Sequence, residues 1–176
     1  MNPNVYVDRR ILARVDAWIT RQHANGLYRP TAVALIESSR GAVLLLKSVK
    51  DSWWSFPQGD VRLGEGVIDA LLRNVEEKTG ISGSQLIVSR FMRATRILMP
   101  GMGLRGPVPG TSYYYFDVSV VGVPKVTLQV DVATDYRWLS ALEAAEFLCN
   151  QGRSRVDETN GLLRALGTEV SIPEEQ

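Results

Sequence analysis

The chain has 176 residues, 45% of them hydrophobic, with 20 Lys+Arg against 19 Asp+Glu, one His and one Cys. That length suits one ordinary domain with a real apolar core, and the net charge of +1 argues against a broad basic surface that grips nucleic acid along its backbone. A lone Cys149 and a lone His23 exclude a disulfide framework and any cysteine-rich or multi-histidine metal site. Metal chemistry would need oxygen ligands, which suit magnesium, manganese or calcium.

Asp8 as N-cap and the spacing of Ile11, Leu12, Val15, Trp18 and Ile19 predict an amphipathic helix over 8–22, with Gly26 and Pro30 bracketing its end. Two strands follow, Thr31 to Glu37 and Ala42 to Val49, joined by a hairpin at Ser38-Ser39-Arg40-Gly41. Gly59 to Gly66 reads as a loop. Val67, Leu71 and Val75, flanked by Ile68 and Leu72, predict a helix from Val67 to Thr79, with Gly80 as its left-handed C′ residue. Gln85 to Leu98 reads as one or two strands, Pro100 to Gly110 as a loop, and Thr111 to Val121 as an aromatic-rich strand. A strand pair is expected over Val126–Val130 and Tyr136–Leu139, then two short helices near Ala141–Asn150 and Glu158–Leu166, and a frayed tail from Ser171 to Gln176. No apolar run approaches a membrane span and the first residues carry no secretory pattern, so a cytoplasmic location and no membrane partner are expected.

One segment carries chemistry: Trp54-Ser55-Phe56-Pro57-Gln58-Gly59, then Glu65, then Arg73-Asn74-Val75-Glu76-Glu77-Lys78-Thr79-Gly80-Ile81. Gly59, Glu65, Arg73, Val75, Glu77, Gly80 and Ile81 fall without a gap in the spacing of the Nudix box, and the segment resembles that family. Tyr28-Arg29-Pro30 and the Trp54–Gly59 run look like the bacterial RNA pyrophosphohydrolase and dinucleoside polyphosphate hydrolase branch, and Asp135-Tyr136-Arg137-Trp138-Leu139-Ser140 resembles its late strand. The likeness covers about residues 28–147. It implies an α/β/α sandwich with a mixed sheet, the whole chain 1–176 as one Nudix-like domain, the box at 59–81, and the helix 8–22 appended.

The resemblance also implies a reaction: pyrophosphohydrolysis of a nucleoside diphosphate linked to another moiety, with Mg2+ or Mn2+ as cofactor. Such cleavage needs charge neutralisation and a positioned water, and magnesium held by carboxylates supplies both. Glu77 is the candidate catalytic residue, and Glu77 with the carbonyls of Gln58 or Gly59 the candidate metal ligands. A Glu65–Arg73 pair would tie the loop to the helix. Arg29 and Lys47 stand where the branch places phosphate-contacting arginines, while Ser48 replaces a second one. Partners would be nucleotides or nucleoside diphosphate-linked small molecules, with nucleic acid limited to an RNA 5′ end.

The chain departs from the family where charge matters most. Three helix positions on one face, at i, i+3 and i+4, carry glutamate in the family; here they are Asn74, Glu77 and Lys78. Asn74 offers a neutral oxygen but cannot act as a base. An ammonium at Lys78 repels a second cation. Glu76 lies about 100° around the helix from Glu77 and does not repair the face. A further family glutamate, six residues before the tryptophan of the late strand, falls on Val132, next to Asp131. Two readings stand open. One is a hydrolase with weak or altered activity and one magnesium at Glu77. The other is a non-hydrolytic nucleotide-binding or interaction module with no metal, in which Lys78 and Asn74 contact phosphate directly.

Other residues divide between packing and function. Trp53 and Trp54 could stack on a base, though the family pattern makes Trp54 packing. Tyr113, Tyr114, Tyr115 and Phe116 read as sheet packing. The 100–110 loop, with Arg105, is either a flank of the pocket or simple disorder. His23 and Cys149 read as incidental. The N-terminal helix, with Trp18 on its apolar face, either covers the core or mediates a homodimer.

Overall fold

The structure, a computed structural model, describes residues 4–26, 28–50, 52–98, 110–122 and 124–151. Its elements are α1 (Arg9–Asn25), β1 (Tyr28–Glu37), β2 (Ala42–Ser48), β3 (Trp54–Ser55), β4 (Gln58–Asp60), α2 (Val67–Thr79), β5 (Leu86–Leu98), β6 (Gly110–Val120), β7 (Ala133–Ser140) and α3 (Ala141–Cys149). No helix among the described residues is long and apolar enough to cross a membrane.

The sheet runs β3-β2-β1-β6-β5, with β4 also paired to β1 and β7 to β2. β1 and β6 are parallel, Tyr28 opposite Gly110 through to Glu37 opposite Ser119, and the other pairs are antiparallel. β1 lies at the centre and is buried without a break from Pro30 to Ile36, as a strand covered on both faces must be. Alternation then sorts the core. Ala32, Ala34, Ile36, Leu44, Leu46, Tyr114 and Phe116 pack with α1 and α2 on one face. Val33, Leu35, Val43, Leu45, Trp54, Phe56 and Tyr115 pack with α3 on the other. The result is the α/β/α sandwich with a mixed sheet that the sequence predicts.

Several boundaries differ from expectation, each for a local reason. α1 continues to Asn25 and stops at Gly26, whose φ of 61° allows its N–H to reach back to the Gln22 carbonyl. Pro30 lies inside β1, not after the helix; it needs no N–H there, and its carbonyl accepts from Val61 N at 2.9 Å. Gly59 and Asp60 are strand rather than loop, because β4 pairs with Thr31–Val33 of β1. Gln85 to Leu98 is one strand from Leu86, bent by two register shifts. The predicted strand at Val126–Val130 is absent. That segment crosses the end of α2, where Thr127 N donates to Thr79 O at 2.7 Å, and Val126 and Leu128 pack on the core without a ladder. β7, longer than predicted, pairs with β2 instead. The expected 158–166 helix, the 171–176 tail and all but the last residue of the 100–110 loop lie outside the described residues.

α1 is integral to one layer. Val15 and Ile19 are core residues. Gln22 is buried, donating to Ser112 Oγ at 2.8 Å and accepting from Tyr114 Oη at 3.0 Å. Asp16 Oδ1 accepts from Val67 N at 2.9 Å. Gly66, the residue ahead of α2, has no side chain for that task. The first helix therefore caps the start of the box helix.

Candidate functional site

The loop before α2 folds on its own acid. Arg62 N donates to Glu65 Oε2 at 2.9 Å, and Glu65 N to Arg62 O at 3.0 Å. Arg73, two turns into α2, reaches back with a forked pair: Nε to Glu65 Oε1 at 2.7 Å and Nη2 to Glu65 Oε2 at 2.8 Å. Both side chains are mostly buried, 21% and 16% exposed. The bidentate geometry is the strong form of this pair. Arg73 also donates to the Asp60 carbonyl at 3.0 Å, to Asn74 Oδ1 at 3.3 Å and to Glu77 Oε2 at 3.2 Å. Its hydrogen bond holds the Glu65 carboxyl below the usual carboxylate range and in turn raises Arg73.

Gly59 is required by a close approach rather than by its backbone angle. It lies opposite Ala32 on the face toward α2, and a Cβ there would stand 2.0 Å from Asn74 Oδ1. Asn74 cannot yield easily: it is only 5% exposed and its amide donates to Asp60 O at 3.3 Å. Gly59→Ala is expected to destabilise the fold by about 2–3 kcal/mol, the upper part of the range for overpacking. Adding Asn74→Ala should recover part of that loss. Urea midpoints of the two single variants and the double variant measure this coupling, and strictly additive losses would refute the contact.

The last turn of α2 holds the charge. Glu77, 47% exposed, is shared between Arg73 at 3.2 Å and Arg62 at 3.8 Å. Lys78 extends across to β4 and donates its ammonium to the Gln58 carbonyl. Burial lowers the Lys78 pKa, while the Asp60 and Glu77 carboxylates act the other way. Beside them opens a cavity of about 270 Å³, lined by Ser48, Lys50, Trp53, Gln58, Lys78 and Asp131 among others, with Val132 also on its wall.

The other candidates lie at differing distances from this cavity. Arg29 is on β1, paired with Asp60 at 3.4 Å and more than half exposed. Lys47 alternates with Leu46 and Ser48, which line the cavity, and so shares the opposite face of β2 with Leu45. Gly80 ends α2 with φ of 68°, its N–H bonded to Glu76 O. The structure thus brings Gln58, Gly59, Asn74, Glu77 and Lys78 together and leaves Lys47 apart. Ser48, at the position of the branch's second arginine, joins the neighbourhood, as do Lys50, Asp60, Arg62 and Ser55, which carry no spacing signal in the sequence.

These residues do not fit a divalent metal ion. Among the described residues no group of three His, Cys, Asp or Glu is placed to hold one. The Gln58 carbonyl already accepts from an ammonium, and Glu77 is engaged by two guanidinium groups. Among the described residues, five cations (Arg29, Arg62, Arg73, Lys50, Lys78) and four carboxylates (Asp60, Glu65, Glu77, Asp131) stand around this junction. A site for magnesium needs an acidic balance, and these groups carry none.

The layered mixed sheet, with a glycine-entered loop and helix beside it, defines a Nudix-type sandwich. The NUDIX domain family model matches residues 27–158, and the chain belongs to that family. It is 38% identical over 55 residues to an RNA pyrophosphohydrolase of Ruthia magnifica subsp. Calyptogena magnifica, covering 31% of each chain. It is 30% identical over 79 residues to an RNA pyrophosphohydrolase of Marinomonas sp. (strain MWYL1), covering 44% of this chain and 49% of that one. The chain therefore spans between about a third and a half of these curated relatives. Among solved structures it resembles a MutT protein from Methanosarcina mazei Go1, at TM-score 0.63 and 20% identity over 80% of this chain and 94% of that one. It also resembles a C. elegans Ap4A hydrolase in a binary complex, at TM-score 0.61 and 18% identity over 79% and 98%. These last two likenesses are of fold.

Proposed function

We propose that this domain binds a nucleoside diphosphate derivative in the cavity beside Lys78 and cleaves its phosphoanhydride slowly or not at all. The observation that supports this reading is the Lys78 ammonium bonded to the Gln58 carbonyl, where the family resemblance puts a metal ion. A fixed cation neutralises phosphate charge but generates no hydroxide, and Asn74 supplies no base. Losing these charged groups should lower turnover by roughly 10³-fold or more, the scale for removing a main electrostatic contributor. Dinucleoside polyphosphates and 5′-triphosphorylated RNA are the substrates to try first, since the curated relatives are RNA pyrophosphohydrolases and the fold is shared with an Ap4A hydrolase.

The test measures phosphate release from both substrates with magnesium, alongside equilibrium binding. Binding with little or no release is the expected result. Turnover equal to that of a Nudix enzyme with three box glutamates, abolished by Glu77→Gln, would overturn the attenuated-activity reading. Failure to bind either compound would overturn the choice of ligand.

A further inference from the structure

We infer that Lys78 is a built-in cation that takes the place of the divalent ion, so that the cavity accepts a metal-free di- or polyphosphate and magnesium opposes binding. This rests on the reading of the cavity as a phosphate site, and it adds the ionic form of the ligand and the sign of the metal's effect.

The argument starts from donors. An ammonium has three N–H groups, and the Gln58 carbonyl takes one from Lys78. The remaining donors belong to a side chain that lines the cavity together with Lys50 and the hydroxyl-bearing residues Ser48 and Ser55. Two lysines and two serines are the donor set that suits phosphate oxygens: point charges with rotatable hydrogens and neutral hydroxyls. Trp53 adds an aromatic wall, against which a base can stack. At about 270 Å³ the space holds a diphosphate with part of its nucleoside.

The metal's sign follows from charge. In a carboxylate-lined site, magnesium bridges acid and phosphate and promotes binding. Here a magnesium ion bound to the phosphates would approach Lys78 and Lys50 with like charge. The nearby carboxylates offer little help, since Asp60 is paired with Arg29 and Glu77 with Arg73 and Arg62. Among the described cavity-lining residues only Asp131 is acidic. Chelation also withdraws phosphate oxygens from the lysines. Free anion and magnesium complex should therefore differ by roughly tenfold or more in affinity, in favour of the free anion.

Isothermal titration of the full chain with ADP and with inorganic pyrophosphate, each in excess EDTA and in excess magnesium, reads this directly. Tighter binding in EDTA is expected, with affinity falling as salt rises. Lys78→Met should cost roughly tenfold in EDTA and remove the magnesium effect. Lys50→Met, at an exposed position, should cost a few-fold without disturbing the fold. Tighter binding in magnesium would overturn this inference and leave the proposed function standing. Unchanged affinity in both lysine variants would also overturn it. No binding of either anion in either buffer would overturn the proposed function, and this inference with it.

Discussion

Replacing Asn74 and Lys78 together by glutamate is expected to create magnesium binding and to raise phosphoanhydride cleavage by roughly 10²–10³-fold, the scale of a regained electrostatic contributor. The two changes rebuild a row of carboxylates at positions i, i+3 and i+4, which share one helix face. They also remove the ammonium that occupies the Gln58 carbonyl, returning that oxygen to use as a ligand. Each change alone should do much less. Asn74→Glu leaves the lysine in place, and Lys78→Glu leaves the carboxylate row incomplete. The double variant must accommodate a longer side chain beside Gly59, where Asn74 is already tightly seated, so circular dichroism and a thermal melt accompany the assay. Magnesium binding by titration and product release by phosphate detection are the readouts. Glu77→Gln in the double-variant background should abolish the gain. A folded double variant that still binds no magnesium would place the deficit elsewhere, at Val132 first.

Arg73→Met should be the most damaging single change to stability, at about 3–4 kcal/mol. Arg73 holds Glu65, Glu77, the Asp60 carbonyl and Asn74 in one hub. Removing it leaves the mostly buried Glu65 carboxylate without its counter-ion, and breaking a buried pair costs about 3–5 kcal/mol where an exposed pair costs under about 1. The pair here is a little less buried than that, hence the lower end. For a chain of this size the melting temperature should fall by roughly 10 °C. Glu65→Gln should cost less, since a neutral acceptor remains. The acid side adds a second readout. Glu65 has a lower pKa folded than unfolded, so its contribution is complete above the ordinary carboxylate pKa and is lost as pH falls through the lower, folded value. Thermal melts from neutral pH into acid should therefore decline less steeply in Glu65→Gln than in the wild type. Parallel curves would show that this pair does not govern the acid response.

The elements that came straight from the sequence are those whose signals are local. Helical spacing from Val67 to Thr79, ended by Gly80, marks α2; the continuous apolar run of β1 and the Ser38–Gly41 turn mark the hairpin. The box spacing pointed to Glu65 and Arg73 because a fixed number of residues separates the loop acid from its helical partner. What stayed hidden depends on pairing between distant segments. β4 is three residues long and exists only because β1 offers it an edge. Val126 to Val130 alternates like a strand, yet the end of α2 claims its backbone. The substitution at Lys78 was visible, but its attachment to Gln58 was not, since nothing in the spacing says that the side chain turns toward β4. Lys50 and Ser55 carry no pattern at all and reach the cavity only through the fold.

The bond from Val67 to Asp16 spans 51 positions, and its acceptor lies outside the family match, which begins at residue 27. The edge of the family match thus passes between a helix and the carboxylate that closes its first turn. A fragment cut at that border would keep every box residue and still expose the start of the box helix.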